Sequence, residues 1–345
     1  MSPAMQTVGG PFFDDLHVGL VADSAPSLTL TEGVAAAHGA IVGDRMRLAL
    51  DAELSRRVLG SALAHPALVW DVANGQSTLF TQRVIANLFY RGFMFHRAPS
   101  IGDTLYTKTE VVALRQNRGR PGRAATGLAA LRVRTTDQKG RAVLDYMRCA
   151  MLPLRNPEGH TGHDANLEKI GTELDPHALR APIEGWDLAA FRDAVPGLHF
   201  AGLAAGTIWE VTGGDVVSAA PELARLTLNI AMAHHDAASS SAGRLVYGGH
   251  TIGLAAAQTT RALPNLVTIV AWHGCDHLAP VREGDTLRST IELERAEPFA
   301  SGGASGGARG GGGLVHLRSR VRADREGGSQ ASQEVLDWRF VGVMA

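Results

Sequence analysis

Gly102-Asp103-Thr104-Leu105, preceded by Pro99, returns as Gly284-Asp285-Thr286-Leu287, preceded by Pro280. Val143-Leu144-Asp145-Tyr146 likewise returns as Val335-Leu336-Asp337-Trp338, and Phe13 and Gly19 answer to Phe200 and Gly206. The offset is 182 residues at the Gly-Asp-Thr pair and 187 at the phenylalanines, a drift that loop insertions between strands produce. A repeat of this length present twice means two similar domains, and 345 residues leave each enough chain for its own core. The N-terminal copy is expected over residues 1–155 and the C-terminal copy over 197–345. Between them, 156–196 is polar and carries Pro157, Gly159, Gly162, Pro176 and Pro182, which reads as a linker with one short helical stretch.

Both halves run in the same order: a short strand around Phe12 or Phe200, a helical segment, a loop, an Ala- and Leu-rich helix, then several strands. In the second half that helix is expected from near Gly248 to before Pro264. Ile252, Leu254, Ala255 and Ala256 make it apolar on most sides, so it is expected to be buried. From Leu314 to Asp324, Val315, Leu317 and Val321 alternate with His316, Arg318, Arg320 and Arg322, the period of a half-buried antiparallel strand; Leu131 and Val133 alternate with Arg132 and Arg134 likewise. A sheet with one wet face needs a cover on its dry face, and the apolar helix is the available cover. The expected class is therefore α+β, each half an antiparallel sheet curled around one central helix.

Composition excludes several roles. With 33 basic and 34 acidic residues there is no global field to draw nucleic acid or an anionic membrane surface. No stretch approaches 18 uninterrupted apolar residues, and the N-terminus lacks a basic region followed by an apolar run, so a cytoplasmic location is expected. Cys149 and Cys275 fall in strands of different halves and read as reduced core thiols. The glycine-rich run 301–313 lacks a Gly-Lys-Ser/Thr ending and precedes a strand, which makes it a hairpin loop and not a phosphate loop. Its counterpart carries Arg115, Arg118, Arg120 and Arg123, open to two readings: phosphate contacts, or an exposed basic hairpin. His273-Gly274-Cys275-Asp276-His277 resembles a metal cluster at first. On a strand, residues 273, 275 and 277 share a face but span about 13 Å, too far for one zinc, so no metal and no cofactor are expected.

His234-His235-Asp236, the run Arg244-Leu245-Val246-Tyr247-Gly248-Gly249-His250, and the paired Gly-Asp-Thr-Leu segments together resemble the MaoC-like enoyl-CoA hydratases and dehydratases. Tyr247-Gly248-Gly249-His250 and the approach from His277 to Pro280 look most like the mesaconyl-CoA hydratase, or β-methylmalyl-CoA dehydratase, branch. The resemblance spans nearly the whole chain. It implies a tandem, double hot-dog fold, an acyl-CoA thioester substrate and a homodimer.

The family's hydratase motif, Gly-Asp-x-Asn-Pro-aliphatic-His-x-Asp, falls on residues 228–236 in the second half and 43–51 in the first. Neither copy is complete. The first keeps Asp44 but has Ala49 where the histidine belongs; the second keeps His234 but has Asn229 where the aspartate belongs. The resemblance also implies that a backbone N–H at the start of the central helix polarises the thioester carbonyl, helped by the helix dipole. Gly248 occupies that position in the second half and Pro66, which has no N–H, in the first. The C-terminal copy is thus expected to be catalytic, with His234 as base, Asn229 orienting water and Gly248 as donor, while the first half supplies scaffold and pocket walls. Asp236, His235, Tyr247 and Gly249 are supporting candidates, and two readings of His250 stay open, packing or pocket lining. Arg115, Arg118 and Arg123 are the candidate CoA contacts. Two other functions on the same fold are an acyl-CoA thioesterase and a non-catalytic acyl-CoA-binding subunit.

Overall fold

In the computed structural model the repeat is realised as one twelve-stranded antiparallel sheet, with residues 8–43, 45–119, 122, 124–239, 243–299, 311–325 and 332–345 described. In the first half, β1 (Val21–Ala22) and β2 (Leu28–Thr29) precede α1 (Glu32–Val42), α2 (Arg47–Leu50) and α3 (Ala52–Leu59). Then come α4 (Pro66–Gln76), β3 (Ala86–Phe95), β4 (Thr104–Gln116), β5 (Thr126–Thr136) and β6 (Ala142–Pro153). After α5 (Leu188–Ala194) in the connecting segment, the second half repeats the plan with β7 (Ile208–Glu210), β8 (Asp215–Val216), α6 (Ala220–Leu226) and α7 (Gly248–Ala262). It ends with β9 (Leu266–His277), β10 (Thr286–Pro298), β11 (Gly313–Asp324) and β12 (Gln333–Met344).

The strand order is β1-β4-β5-β6-β3-β9-β12-β11-β10-β7, with β2 on β4 and β8 on β10. The halves join where β3 meets β9, with Tyr90 opposite Cys275 and Phe93 opposite Trp272. Adding the repeat offset of 182 to Tyr90 and Phe93 yields Trp272 and Cys275, so the join maps onto itself and is a pseudo-twofold axis.

The repeated residues repeat because each does one local job twice. Gly102 and Gly284 turn with φ 97° and 90°, a region that favours glycine. In the same turns Asp103 accepts the Ser100 N–H at 2.9 Å, and Asp285 the Arg282 N–H at 2.8 Å. Every residue of α4 is buried, as is α7 from Gly249 to Thr260, so the polar side chains on these helices need partners inside. Gln76 Nε2 donates to the Leu105 carbonyl at 3.0 Å, and its twin Gln258 donates to the Leu287 carbonyl at 2.9 Å. Phe13 and Phe200 pack over Gly127 and Gly313, where an added Cβ would lie 2.4 and 2.2 Å from the ring or its equivalent. These phenylalanines sit in 3-10 turns (Phe13–Asp15 and Phe200–Gly202), not in the short strands expected, because a ring that must lie flat on a glycine of a neighbouring strand does not itself pair.

Three further expectations need correction. The connecting segment holds a 3-10 turn (Ala178–Ile183) as well as α5, and its Trp186, Leu188 and Phe191 are buried against Val267, Val270, Val341 and Val343. It is a cover for the outer face of the sheet. On β11, Leu314 packs in the cluster with that cover and His316 is buried beside His273 and Arg295, so clean alternation starts only at Leu317. On β9 a bulge between the pairs Gly274–Arg339 and Trp272–Phe340 sets His273 apart from Cys275 and His277. His273 stacks outward on His316, Cys275 is in the core, and the shared face expected from simple alternation does not exist. Cys149 and Cys275 are both free and buried. No described helix is long and apolar enough to cross a membrane. Asp44, Arg120, Arg123 and positions 301–310 of the glycine-rich run lie outside the described residues.

Candidate active site

A cavity of about 920 Å³ opens where the start of α7 faces β3 and β6 of the other half. Asn229, His234, Asp236, Tyr247, Gly248 and His277 line it from the second half; Asn74, Thr78, Thr81, Tyr90 and Arg148 line it from the first. Both halves therefore build one site. A smaller cavity of about 460 Å³, walled by Arg45, Arg47 and Arg57, has no imidazole in its lining.

The segment carrying Asn229 and His234 is pinned from several sides. Leu228 holds a left-handed conformation (φ 63°), a strained position for a branched side chain, and persists because its neighbours are fixed. Asn229 N–H donates to Ala224 O at 2.8 Å, Ile230 N–H to Thr78 Oγ1 at 3.1 Å and Met232 N–H to Gln82 O at 2.8 Å. The Asn229 side-chain carbonyl accepts the Ala231 N–H at 3.0 Å, which leaves its NH₂ as the group it can offer to the cavity. His235 donates from Nε2 to the Asn229 carbonyl at 2.6 Å, so it braces the loop and is not among the lining residues. Asp236 does line the cavity, but its Oδ1 accepts the Ala238 N–H at 2.8 Å.

His234 is 8% exposed and sits at the end of a 3-10 turn, Met232–His234. Its Nδ1 lies 2.9 Å from the Leu245 carbonyl oxygen. A carbonyl only accepts, so Nδ1 carries the proton and Nε2 is the free lone pair. Leu245 is itself held, because its N–H donates to Ala233 O at 2.8 Å. Tyr247 packs edge-on against the imidazole at 5.6 Å. Burial pushes the His234 pKa down to about 4, opposed by the Leu245 hydrogen bond, so the ring is neutral at physiological pH.

The two central helices begin differently. α4 starts with Pro66, and His65 Nδ1 accepts the Ala67 N–H at 2.9 Å, so its first turn is capped. α7 starts with Gly248 and no side chain caps it. Its first amides have no acceptor within the helix and, together with the dipole, favour negative charge at Gly248. Glycine at 248 makes room for His277, since a Cβ there would lie 2.6 Å from Nε2 of that ring, which would have to shift. Gly249 is required for a different reason: its Cβ would meet Asp71 Oδ1 at 2.1 Å, so it lets α7 approach α4 and does not line the cavity. His250 is buried with both ring nitrogens unpartnered and is not among the lining residues; burial holds its pKa down at about 4.

The candidate CoA arginines are not brought here. Arg115 is on β4 and Arg118 follows it in a loop, while the arginines that line the cavity are Arg83, Arg148 and Arg282. Sequence reasoning also passed over His277, Tyr90, Asn74 and Arg148 as site residues. His277 Nε2 is buried without a partner beside Gly248, and burial, then the nearby His234, lower its pKa to about 4. The missed signal was a comparison between the copies. At the repeat offsets, His277, Tyr90, Asn74 and Arg148 correspond to Phe95, Trp272, Ala256 and Phe340. Phe95, Trp272 and Phe340 are buried, with Trp272 stacked on Phe93 and Phe340 on Trp338, each at 3.8 Å. Buried apolar side chains, three of them rings, thus pack the positions whose twins line the cavity.

No family model matches the chain. Mesaconyl-CoA hydratase of Cereibacter sphaeroides is 30% identical over 301 residues, covering 85% of this chain and 86% of that protein. Beta-methylmalyl-CoA dehydratase of Chloroflexus aurantiacus is 26% identical over 305 residues, 84% and 83% of the two chains. Among solved structures, a conserved hypothetical protein of Mycobacterium tuberculosis, described as having a double hot-dog fold, superposes with a TM-score of 0.87 at 53% identity over 99% of this chain and 100% of its own. A structure described as a MaoC domain protein dehydratase, from Chloroflexus aurantiacus, gives 0.83 at 24% identity over 99% of each chain.

Proposed function

This chain belongs to the MaoC-like double hot-dog hydratases and dehydratases, the family of mesaconyl-CoA hydratase, and from that premise we propose that it adds water reversibly to an enoyl-CoA thioester in the cavity between its halves. The observation that carries this reading is that the Leu245 carbonyl leaves His234 Nε2 as a free base in the cavity that also receives the uncapped start of α7.

The thioester oxygen accepts the Gly248 N–H at the positive end of α7, where an amide and the dipole stabilise an enolate without moving. His234 Nε2 takes a proton from a water that the Asn229 NH₂ orients. The water oxygen bonds to the β-carbon, the π electrons of the C=C bond pass into the thioester as an enolate, and the enolate collapses as the α-carbon takes the proton back from His234. H and OH add across the double bond and the imidazole returns neutral. An imidazolium whose pKa is near 4 gives up its proton readily, which suits the second half of that cycle. The C-terminal copy supplies base and donor; Ala49 and Pro66 leave the first half without either, and it contributes the opposite wall. The acyl group is mesaconyl or a related branched, dicarboxylic enoyl group, in keeping with the names of the two curated relatives.

Hydration of mesaconyl-CoA and crotonyl-CoA, followed as loss of the enoyl-thioester absorbance and its return from the hydroxyacyl side, tests the reading. Reversible loss is expected. Free thiol appearing instead makes the protein a thioesterase, and binding with neither change makes it an acyl-CoA-binding subunit.

A further inference from the structure

Arg148 is 4% exposed, lines the cavity, and has no carboxylate within ion-pair distance among the described residues. Its Nη1 donates to Asn74 Oδ1 at 2.8 Å and its Nη2 to Thr81 Oγ1, both neutral acceptors, while Nε has no partner. A guanidinium is always charged, and a buried cation without a counter-charge is costly. The fold does not need it, because the repeat offers a direct control: the equivalent position on β12 is Phe340, fully buried in the core. Where the same architecture packs its core it uses a ring, and where it lines the cavity it holds a charge with two side chains aimed at the terminal nitrogens.

We infer that Arg148, held by Asn74 and Thr81, receives the free carboxylate of the acyl group and so makes the enzyme selective for dicarboxylic acyl-CoA thioesters. This assignment rests on the enoyl-CoA reading above. Each terminal nitrogen keeps a second hydrogen, and a planar guanidinium binds a carboxylate with two parallel bonds where an ammonium offers only a point charge. The specificity determinant would then belong to the half that lacks the base, which gives the degenerate copy a function beyond scaffold.

Succinyl-CoA and butyryl-CoA test it without turnover, since both are saturated and differ by a carboxylate in place of a methyl group. Calorimetry on the full chain should show succinyl-CoA binding at least about tenfold tighter, the effect of one charge-assisted pair. Arg148→Met should bring the ratio to about one, and Arg148→Lys should restore part of it. If Arg148→Met does not fold, the wild-type ratio and the Arg148→Lys variant still decide. Equal binding by the wild type, or a ratio unchanged in a folded variant, overturns the assignment. Wild-type hydration of mesaconyl-CoA beside a ratio of one would remove Arg148 alone; failure of both analogues to bind would take the acyl-CoA reading with it.

Discussion

Replacing His234 by alanine removes the base and one hydrogen bond, to the Leu245 carbonyl. The lost hydrogen bond costs roughly 1 kcal/mol of stability, so the variant should remain folded. Loss of a general base lowers turnover by about a hundredfold to ten-thousandfold, or roughly 3–5 kcal/mol of barrier. The wild-type pH profile carries an independent signature of the same residue. Because burial lowers the His234 pKa to about 4, the neutral form that acts as base is lost only as pH falls through that value. At pH 5.5 about 97% of the imidazole remains neutral, against roughly 9% for an unperturbed histidine of pKa 6.5, so activity there should be about tenfold higher than an exposed base would allow. The assay is kcat/KM for enoyl-thioester hydration from pH 8 to pH 4.5 in wild type and His234→Ala, with circular dichroism confirming the fold. An acid limb centred near 6.5, or turnover within a few-fold of wild type in the variant, would refute the assignment of His234 as the buried base.

Gly75→Ala should disturb the site from outside it. The added Cβ would lie 1.7 Å from the Thr227 carbonyl and 3.0 Å from the Asn229 amide, backbone that cannot step aside, so a loss of roughly 1–3 kcal/mol in urea titration and weakened hydration are expected together. His250 makes stability pH-dependent. Its folded pKa is lowered to about 4, so between about pH 6.5 and 4 the unfolded chain takes up a proton that the folded chain refuses, and stability falls as pH falls. From pH 7 to pH 4.5 this one ring should account for about 2–3 kcal/mol, read as the part of the acid-induced fall in urea stability that His250→Leu abolishes.

The architecture was legible in the sequence because its evidence is local and occurs twice. A Gly-Asp-Thr turn, a buried helix start and an alternating strand each leave a mark within a few residues, and a second copy converts a weak mark into an alignment. The candidate base and donor were legible for the same reason, as a histidine opposite Ala49 and a glycine opposite Pro66. The arginine that lines the cavity was not legible. A run of charge around Arg115 and Arg118 stands out in a sequence, while Arg148 stands between Met147 and Cys149 with nothing to distinguish it.

What the sequence by itself determined, then, is which parts exist: two copies of one sheet-and-helix unit, one with His234 at the motif position and Gly248 at its helix start, the other with Ala49 and Pro66 there. Only the tertiary structure decided where they meet. Pairing of β3 with β9 carries Tyr90 and Arg148 of one copy to the helix start of the other, and a bulge on β9 separates His273 from His277. Such contacts join residues far apart in the chain, and no periodicity of a few residues encodes them. They follow from the register in which two sheets close, and that register is set by the packing of the whole core.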